Sequence, residues 1–216
     1  MGKYRTAEHW EERYHTGDMP WDSGEAEPQL IEVLEELGLG AGRVLEIGCG
    51  TGTDAIELAR RGFEVLAVDI AQGAIDRARR KAETAGVQGI AFRRLDVVAS
   101  APVEPRWADF VFDRGCFHAL TDEQRVRFVS RVADALSPGD YWLCLCGNAD
   151  EKSDGGPPRL SAAQIISVVE PHFELQKLVR KRFERLRDSH EPSHLSWQVL
   201  LRRRVTSNGG SSSSAT

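Results

Sequence analysis

Residues 44–59 read VLEIGCGTGTDAIELA, an apolar run, then glycines at 48, 50 and 52, then apolar residues at helical spacing. No strand or helix continues comfortably through alternate glycines, so the segment is a strand, a tight turn and a helix. Glycines lack Cβ atoms, so a ligand can approach the backbone closely there. Amide groups at the start of the helix favour an electron-rich group. Taken alone, the motif is a weak signal that favours a ligand-holding loop over a tight strand-to-helix turn only modestly.

The rest of the 216 residues repeat the alternation. Helical patterns are expected over 6–15, from Pro28 to Gly38, over 53–62, 74–86 and 121–139, and from Ser161 onward. Thr121 supplies the N-cap of the fifth, Gln124 completes a capping box, and Pro138-Gly139 is read as its stop. Strand patterns occupy 43–50, 63–70, 90–97, 107–115 and 140–148. Two further strands, 173–183 and 194–204, have no helix between them and are expected to pair antiparallel at one edge. The pattern predicts an α/β chain with a seven-stranded, mostly parallel sheet and helices on both faces. Three regions are expected: an N-terminal helix and covering segment (1–27), the main domain (28–205) and a disordered tail (206–216).

Composition bounds the partners. With 41% hydrophobic and 28% charged residues the chain is an ordinary globular protein, and its net charge of -5 argues against a nucleic-acid partner. The basic cluster Arg180, Lys181, Arg182, Arg185 and Arg187 is interrupted by Glu184 and Asp188, as on a solvated face. No apolar run reaches the roughly 18 residues of a membrane span, and no secretory leader is evident. Cys49, Cys116, Cys144 and Cys146 lie in or beside core strands without paired spacing, which suits a reduced, cytoplasmic protein, a monomer or weak dimer, with packing thiols rather than metal ligands.

Two more strands end in acids. Asp69 closes the second, about 17 residues beyond Gly52, where a carboxylate can accept from ribose hydroxyls; Asp96 closes the third. The carboxyl edge of an open α/β sheet is where ligands bind. The turn departs from the dinucleotide fingerprint, because Thr53 stands at the third glycine position. Glu46 precedes the loop, and an acid there is unfavourable beside a pyrophosphate but suits a cationic ligand. S-adenosylmethionine, with its sulfonium and ammonium, fits better than a nicotinamide dinucleotide.

On these residues the chain resembles the class I S-adenosylmethionine-dependent methyltransferases. Glu46-Ile47-Gly48-Cys49-Gly50-Thr51-Gly52 is similar to their E-x-G-x-G-x-G turn, Asp69 to their ribose-binding acid and Asp96 to the position near the adenine amino group. The resemblance runs from about Pro28 to Arg203. Within the class, Trp10, Pro20-Trp21-Asp22 and Gly24, then Asp113-Arg114-Gly115, then GGPPRLS at 155–161 look like the thiopurine, halide and thiol methyltransferases. In that group the N-terminal segment folds over the cofactor, with its Trp near the methionyl end. Cys116-Phe117-His118 departs from the small or apolar residues expected after Asp-Arg-Gly. The resemblance implies a Rossmann-like fold and no metal. It implies cofactor contacts from Trp10, Trp21, Glu46, Gly48, Cys49, Gly50, Gly52, Asp69, Ile70, Asp96, Val97 and Asp113.

Methyl transfer is an in-line displacement, so holding the nucleophile against the methyl in a dry pocket is the main task. A thiol with a pKa near 8.5 needs little help to ionise, whereas a hydroxyl needs a general base. The catalytic candidates are Asp113, Arg114 and His118. Asp113 holds either the cofactor's ammonium or Arg114; Arg114 either binds an anionic acceptor or pairs with an acid. His118 either deprotonates the acceptor or bonds to backbone. His190 and His194 flank a loop before the last strand. Cys116 reads as pocket lining, and Trp21 either covers the sulfonium by a cation–π contact or is a core residue. The expected activity is methylation of a small-molecule soft nucleophile, most of all a sulfur acceptor. Oxygen or nitrogen methylation and a noncatalytic cofactor-binding module are the alternatives.

Overall fold

The computed structural model describes residues 6–183 and 193–205. Its helices are α1 (Ala7–Thr16), α2 (Pro28–Glu36), α3 (Thr53–Arg60), α4 (Gln72–Thr84), α5 (Asp122–Ala135) and α6 (Ala162–Val169). Its strands are β1 (Gly42–Ile47), β2 (Phe63–Asp69), β3 (Ile90–Arg94), β4 (Ala108–Arg114), β5 (Leu136–Asn148), β6 (Arg159–Leu160), β7 (Phe173–Arg182) and β8 (Leu195–Arg203). They form one sheet in the order β3-β2-β1-β4-β5-β8-β7, with β6 paired to β5. Ladders are parallel from β3 to β5, and β8 runs antiparallel to both β5 and β7. The fold is therefore the expected Rossmann-like α/β architecture, with one antiparallel strand inserted before the edge. The two-residue β6 raises the strand count to eight; it is too short to show a period in the sequence.

Period-two alternation sorts the apolar residues onto two faces. Val44, Phe110, Phe112, Leu143, Leu145 and Leu200 meet α2, α3 and α4 through Leu30, Leu34, Leu58 and Ile75. Leu45, Val111, Trp142, Cys144, Cys146 and Leu201 meet α5 and α6 through Phe128, Val129, Val132, Ile165 and Val169. Both faces are covered, which is why the central strands read as nearly continuous apolar runs.

Thr121 and Ser161 each close a reciprocal capping box, with Gln124 and Gln164. The expected Pro-Gly stop needs correction. Helix α5 ends at Ala135, and Ser137-Pro138-Gly139 belong to β5. Leu136 already pairs with Ala108, and the next registered pair is Phe110 with Tyr141, so the extra residues form an irregularity in the ladder. Proline cannot continue a helix and biases its predecessor to extended backbone, which starts the strand early. Similarly, β3 ends at Arg94, and Asp96 lies two residues beyond it. Among the described residues no helix is long and apolar enough to cross a membrane. The expected disordered tail, and His190, Arg185 and Arg187, lie outside the described residues.

Candidate active site

A cavity of about 630 Å³ opens at the carboxyl edge of β1, β2 and β4. Its floor is the glycine turn. Gly48, Gly50 and Gly52 all have positive φ, so only glycine adopts this path without strain. Their missing Cβ atoms make room chiefly for protein. A Cβ on Gly48 would meet Cys116 Cβ at 2.9 Å; one on Gly50 would lie 3.2 Å from the Tyr14 hydroxyl; one on Gly52 would meet Ala78 at 2.8 Å and Phe92 at 3.0 Å. Gly48, Cys49 and Gly50 line the cavity, but Gly52 does not. The expectation that all three glycines admit a ligand is corrected accordingly: Gly52 is where α4 and β3 close against the turn.

The turn is stitched to β2. Gly48 and Cys49 donate to the Val68 carbonyl at 2.8 and 3.0 Å, and Gly50 donates to Asp69 Oδ2 at 3.0 Å. Asp69 Oδ1 accepts from Ala71 at 2.9 Å, so one carboxylate joins the first two loops. Burial pushes its carboxyl up to about 6, against the pull of those amides. The amides of Gly48, Cys49 and Gly50 are thus engaged within the protein. Ile70, Asp96 and Val97 line the same end, and Asp96 also accepts from Val98 at 2.9 Å in its own turn.

The N-terminal segment covers this end. Trp10, Arg13, Tyr14, Trp21 and Asp22 line the cavity. Trp21 stacks edge-on with Trp10 at 5.4 Å and Tyr14 at 6.0 Å, and the Arg13 guanidinium lies 4.8 Å over its ring. Glu11 fixes the cover from outside. Its two oxygens accept from Gln72 at 2.7 Å and Gly73 at 2.9 Å, capping α4, which has no side-chain cap of its own. A second tie runs from Asp22 Oδ2, which accepts from Thr51 Oγ1 at 2.7 Å, to Lys81, which donates to Thr51 at 3.1 Å and Thr53 at 2.5 Å. None of Glu11, Tyr14, Thr51 or Lys81 was legible as a site residue. Trp10 and the Pro20-Trp21-Asp22 motif were what hinted at the cover.

Under the cover lies a buried charge cluster. Arg114 Nη2 is 3.1 Å from Asp54 Oδ2, and Nη1 is 3.6 Å from Glu27 Oε2. Glu27 caps α2 by accepting from Gln29, while its own amide donates to Asp54 at 2.7 Å. Glu46 is 3% exposed; burial and then neighbouring Asp54 push its carboxyl well above the ordinary range. Glu27 Oε2 and Glu46 Oε2 are buried without a hydrogen-bond donor. Two acids therefore share one guanidinium, with Glu46 nearby. Of its two expected roles, Arg114 has the paired one.

The turn after β4 is held from inside. Asp113 is fully buried and absent from the cavity lining. Its Oδ1 accepts from the Cys116 and Phe117 amides at 2.9 and 3.2 Å, and its Oδ2 from the Cys144 thiol at 3.1 Å. The expected contacts of Asp113 with Arg114 and with the cofactor are corrected: it is a turn cap on the opposite face of the sheet. Phe117 anchors the turn in the core against Trp142 at 5.6 Å. Burial pushes the Cys116 thiol well up, so it lines the cavity as a neutral group.

His118 is 7% exposed, and its Nδ1 accepts from the Gly147 amide at 2.7 Å. A backbone N–H can only donate, so the neutral ring carries its proton on Nε2. Its ring also packs edge-on to Phe183. Gly147 is needed here because a Cβ would fall 2.1 Å from the Pro158 carbonyl oxygen. The far wall is Gly156, Pro157, Pro158, Phe183 and His194, with the His194 ring against Gly156. Among the described residues no cluster of three metal-ligating side chains occurs.

Comparison with known proteins follows the same lines. The family model for thiopurine S-methyltransferase matches residues 5–202. The chain is 31% identical over 163 residues to "Probable thiol methyltransferase 2" of Arabidopsis thaliana, covering 75% of this chain and 71% of that one. It is 31% identical over 153 residues to thiocyanate methyltransferase 1 of Brassica oleracea, covering 69% and 65%. Among solved structures, one titled "Conversion of a Disulfide Bond into a Thioacetal Group during Echinomycin Biosynthesis" aligns with a TM-score of 0.80 at 23% identity, covering 94% of each chain.

The Asp113 environment makes a stability prediction. Burial, opposed by its three hydrogen bonds, pushes this carboxyl up to about 7 from 3.8. The folded state therefore holds the proton that the unfolded state has released, and stability contributed by protonated Asp113 is lost as pH rises from about 4 to about 7. The loss is on the order of a few kcal/mol. Urea unfolding of Asp113→Asn is expected to show a flatter pH dependence over that window. Identical curves for the two proteins would mean that Asp113 ionises like a surface carboxylate.

Proposed function

The chain belongs to the thiopurine S-methyltransferase family, and from that premise we propose that it methylates the sulfur of a small-molecule thiol. It is an S-adenosylmethionine-dependent methyltransferase. When bound, S-adenosylmethionine supplies a methyl on a sulfonium: one S–C bond forms as another breaks, and the thiol's proton leaves to water. The residues present fit that group. Glu46 lines the cavity with a buried carboxylate oxygen that has no donor, which suits a cation better than a pyrophosphate.

In this reading Asp69 accepts from the ribose, and Ile70, Asp96 and Val97 hold the adenine end. Glu46, Gly48, Cys49 and Gly50 form the floor of the methionyl end. Trp10, Tyr14 and Trp21 exclude water above it, which strengthens every electrostatic contact beneath. Arg114 acts by holding Glu27 and Asp54 in place, and Asp113 by shaping the turn that presents Cys116 and His118.

The observation that carries the sulfur reading is the bond from the Gly147 amide to His118 Nδ1. It uses the lone pair a base would need, and the Asp113 carboxylate is turned into the core. An acceptor for this cavity is therefore one that needs little help to lose a proton. A thiol meets that condition; an alcohol does not. The names of the thiol relative and of the family support the same acceptor.

The direct test is turnover of labelled S-adenosylmethionine with a panel of thiols, thiopurines, phenols and amines. Methylated thioether with S-adenosylhomocysteine is the expected product; methylation confined to oxygen or nitrogen acceptors overturns the reading. Asp69→Ala is expected to weaken cofactor binding by about tenfold or more, from its lost hydrogen bonds, while turnover at saturation changes less. Unaltered affinity in calorimetry would remove Asp69 from the ribose contact. His118→Ala is expected to lower kcat/KM by roughly tenfold, because it strands the Gly147 amide, and to do so equally across the range where imidazole titrates. A loss confined to low pH would restore His118 as the base.

A further inference from the structure

We infer that Lys81, from behind the cavity wall, controls how long the cofactor stays bound, by orienting the Thr51 hydroxyl that latches the covering loop to the glycine turn. The inference rests on the cofactor placement proposed above and is independent of the acceptor's identity.

Helix α4 packs against α1 and ties to the cover along one stripe. Gly73, Arg77 and Lys81 are spaced by four residues, so they fall on one face of the helix. The Gly73 amide donates to Glu11 Oε1 at 2.9 Å, and Arg77 Nη2 donates to the Tyr14 carbonyl at 2.7 Å. Both of these bonds hold α1. Lys81 carries the same stripe on to the glycine turn, where its Nζ donates to Thr51 Oγ1 at 3.1 Å and to Thr53 Oγ1.

The covering loop beyond α1, residues 17–24, holds Trp21 and Asp22. Asp22 Oδ2 accepts from Thr51 Oγ1 at 2.7 Å. Among the described residues, the other hydrogen bonds of this loop stay within it or reach its neighbours Arg13, Tyr14 and Glu25. The Asp22–Thr51 bond is thus the polar link between the loop that carries Trp21 and the turn beneath it.

Lys81 sets the direction of that bond. A hydroxyl has one proton, and Thr51 can turn it toward Thr53 Oγ1, 3.4 Å away, as well as toward Asp22. An ammonium can only donate. With both threonine oxygens accepting from Lys81, the Thr51 proton is left for Asp22, and the donors line up from cation through hydroxyl to carboxylate. Hydrogen bonds with a charged partner are the stronger ones, and chains of them reinforce one another. Without the ammonium the Thr51 proton is divided between Asp22 and Thr53, so the loop opens more often. Asp22, Thr51 and Thr53 line the cavity and Lys81 does not. Lys81 is therefore a positioning residue, which acts on cofactor retention and not on the displacement at carbon.

The test follows S-adenosylhomocysteine leaving the full chain by stopped flow, with tryptophan fluorescence as the signal. Lys81→Met keeps the side chain's stem and removes its donors. It is expected to speed dissociation about tenfold, the effect of one lost hydrogen bond with a charged partner. The KM for S-adenosylmethionine is expected to rise, while the single-turnover rate at saturating cofactor changes little. Thr51→Val cuts the same latch, so the double variant Lys81→Met/Thr51→Val is expected to match Thr51→Val alone. Thr51→Ser keeps the hydroxyl and is expected to retain slow dissociation. Asp22→Ala, in the half-buried loop, is expected to speed dissociation as Thr51→Val does and guards against a folding defect at the turn. Native dissociation in Lys81→Met, or Lys81 and Thr51 effects that multiply, overturns the inference. A fall in the single-turnover rate equal to the change in binding also overturns it, by placing Lys81 in the chemistry. Unaltered cofactor affinity in Asp69→Ala overturns the cofactor placement instead, so the two failures are distinct.

Discussion

The Arg114 guanidinium is what allows Glu27, Glu46 and Asp54 to lie together inside the protein. Removing several carboxylates from water is costly unless each finds a partner. Here one cation at the end of β4 pairs with the start of α2 and the first turn of α3, beside Glu46 at the end of β1. The glycine turn sits between these elements, so its path is set by the same cluster. Cutting one partner away leaves the others as buried, uncompensated charge, which is far more destabilising than loss of a surface ion pair.

The cover is built into this floor rather than laid on it. Glu11 caps α4, Arg77 donates to the Tyr14 carbonyl at 2.7 Å, and Asp22 reaches Thr51 in the turn. Helix α4 begins just after Asp69, and Asp69 binds the Gly50 amide. The aromatic cover and the two loops beneath it therefore form one hydrogen-bonded unit. For a displacement at carbon, where alignment and exclusion of water do most of the catalysis, such a rigid enclosure contributes more than a proton-transfer group.

The sequence made much of the fold legible. Apolar periodicity and capping residues at Thr121 and Ser161 located the helices, and continuous apolar strands implied a sheet covered on both faces. Composition could not show that Leu136 begins a strand before Pro138, because that depends on its pairing with Ala108, distant in the chain. The site was legible in part. Trp10, Trp21, Glu46, Asp69, Ile70, Asp96, Val97, Arg114 and His118 all line the cavity, as their positions at strand ends and in motifs suggested. Asp113 and Gly52 do not.

What the sequence determined by itself was the order of strands and helices, the glycine turn with its positive-φ path, and the row of polar residues at the strands' carboxyl ends. Those follow from local rules: period, capping and the freedom of glycine. Only the tertiary structure decided what each polar group touches. Alternation told that Asp113 and Arg114 face opposite ways, but not that Cys144 would take the one and Glu27 and Asp54 the other. It could not tell that His118 would meet the Gly147 amide, or that Glu11 would cap a helix 61 residues away. Local rules set which side of a strand a side chain leaves from. Its partner, and hence its charge and its chemistry, comes from chain segments that meet only when the sheet closes.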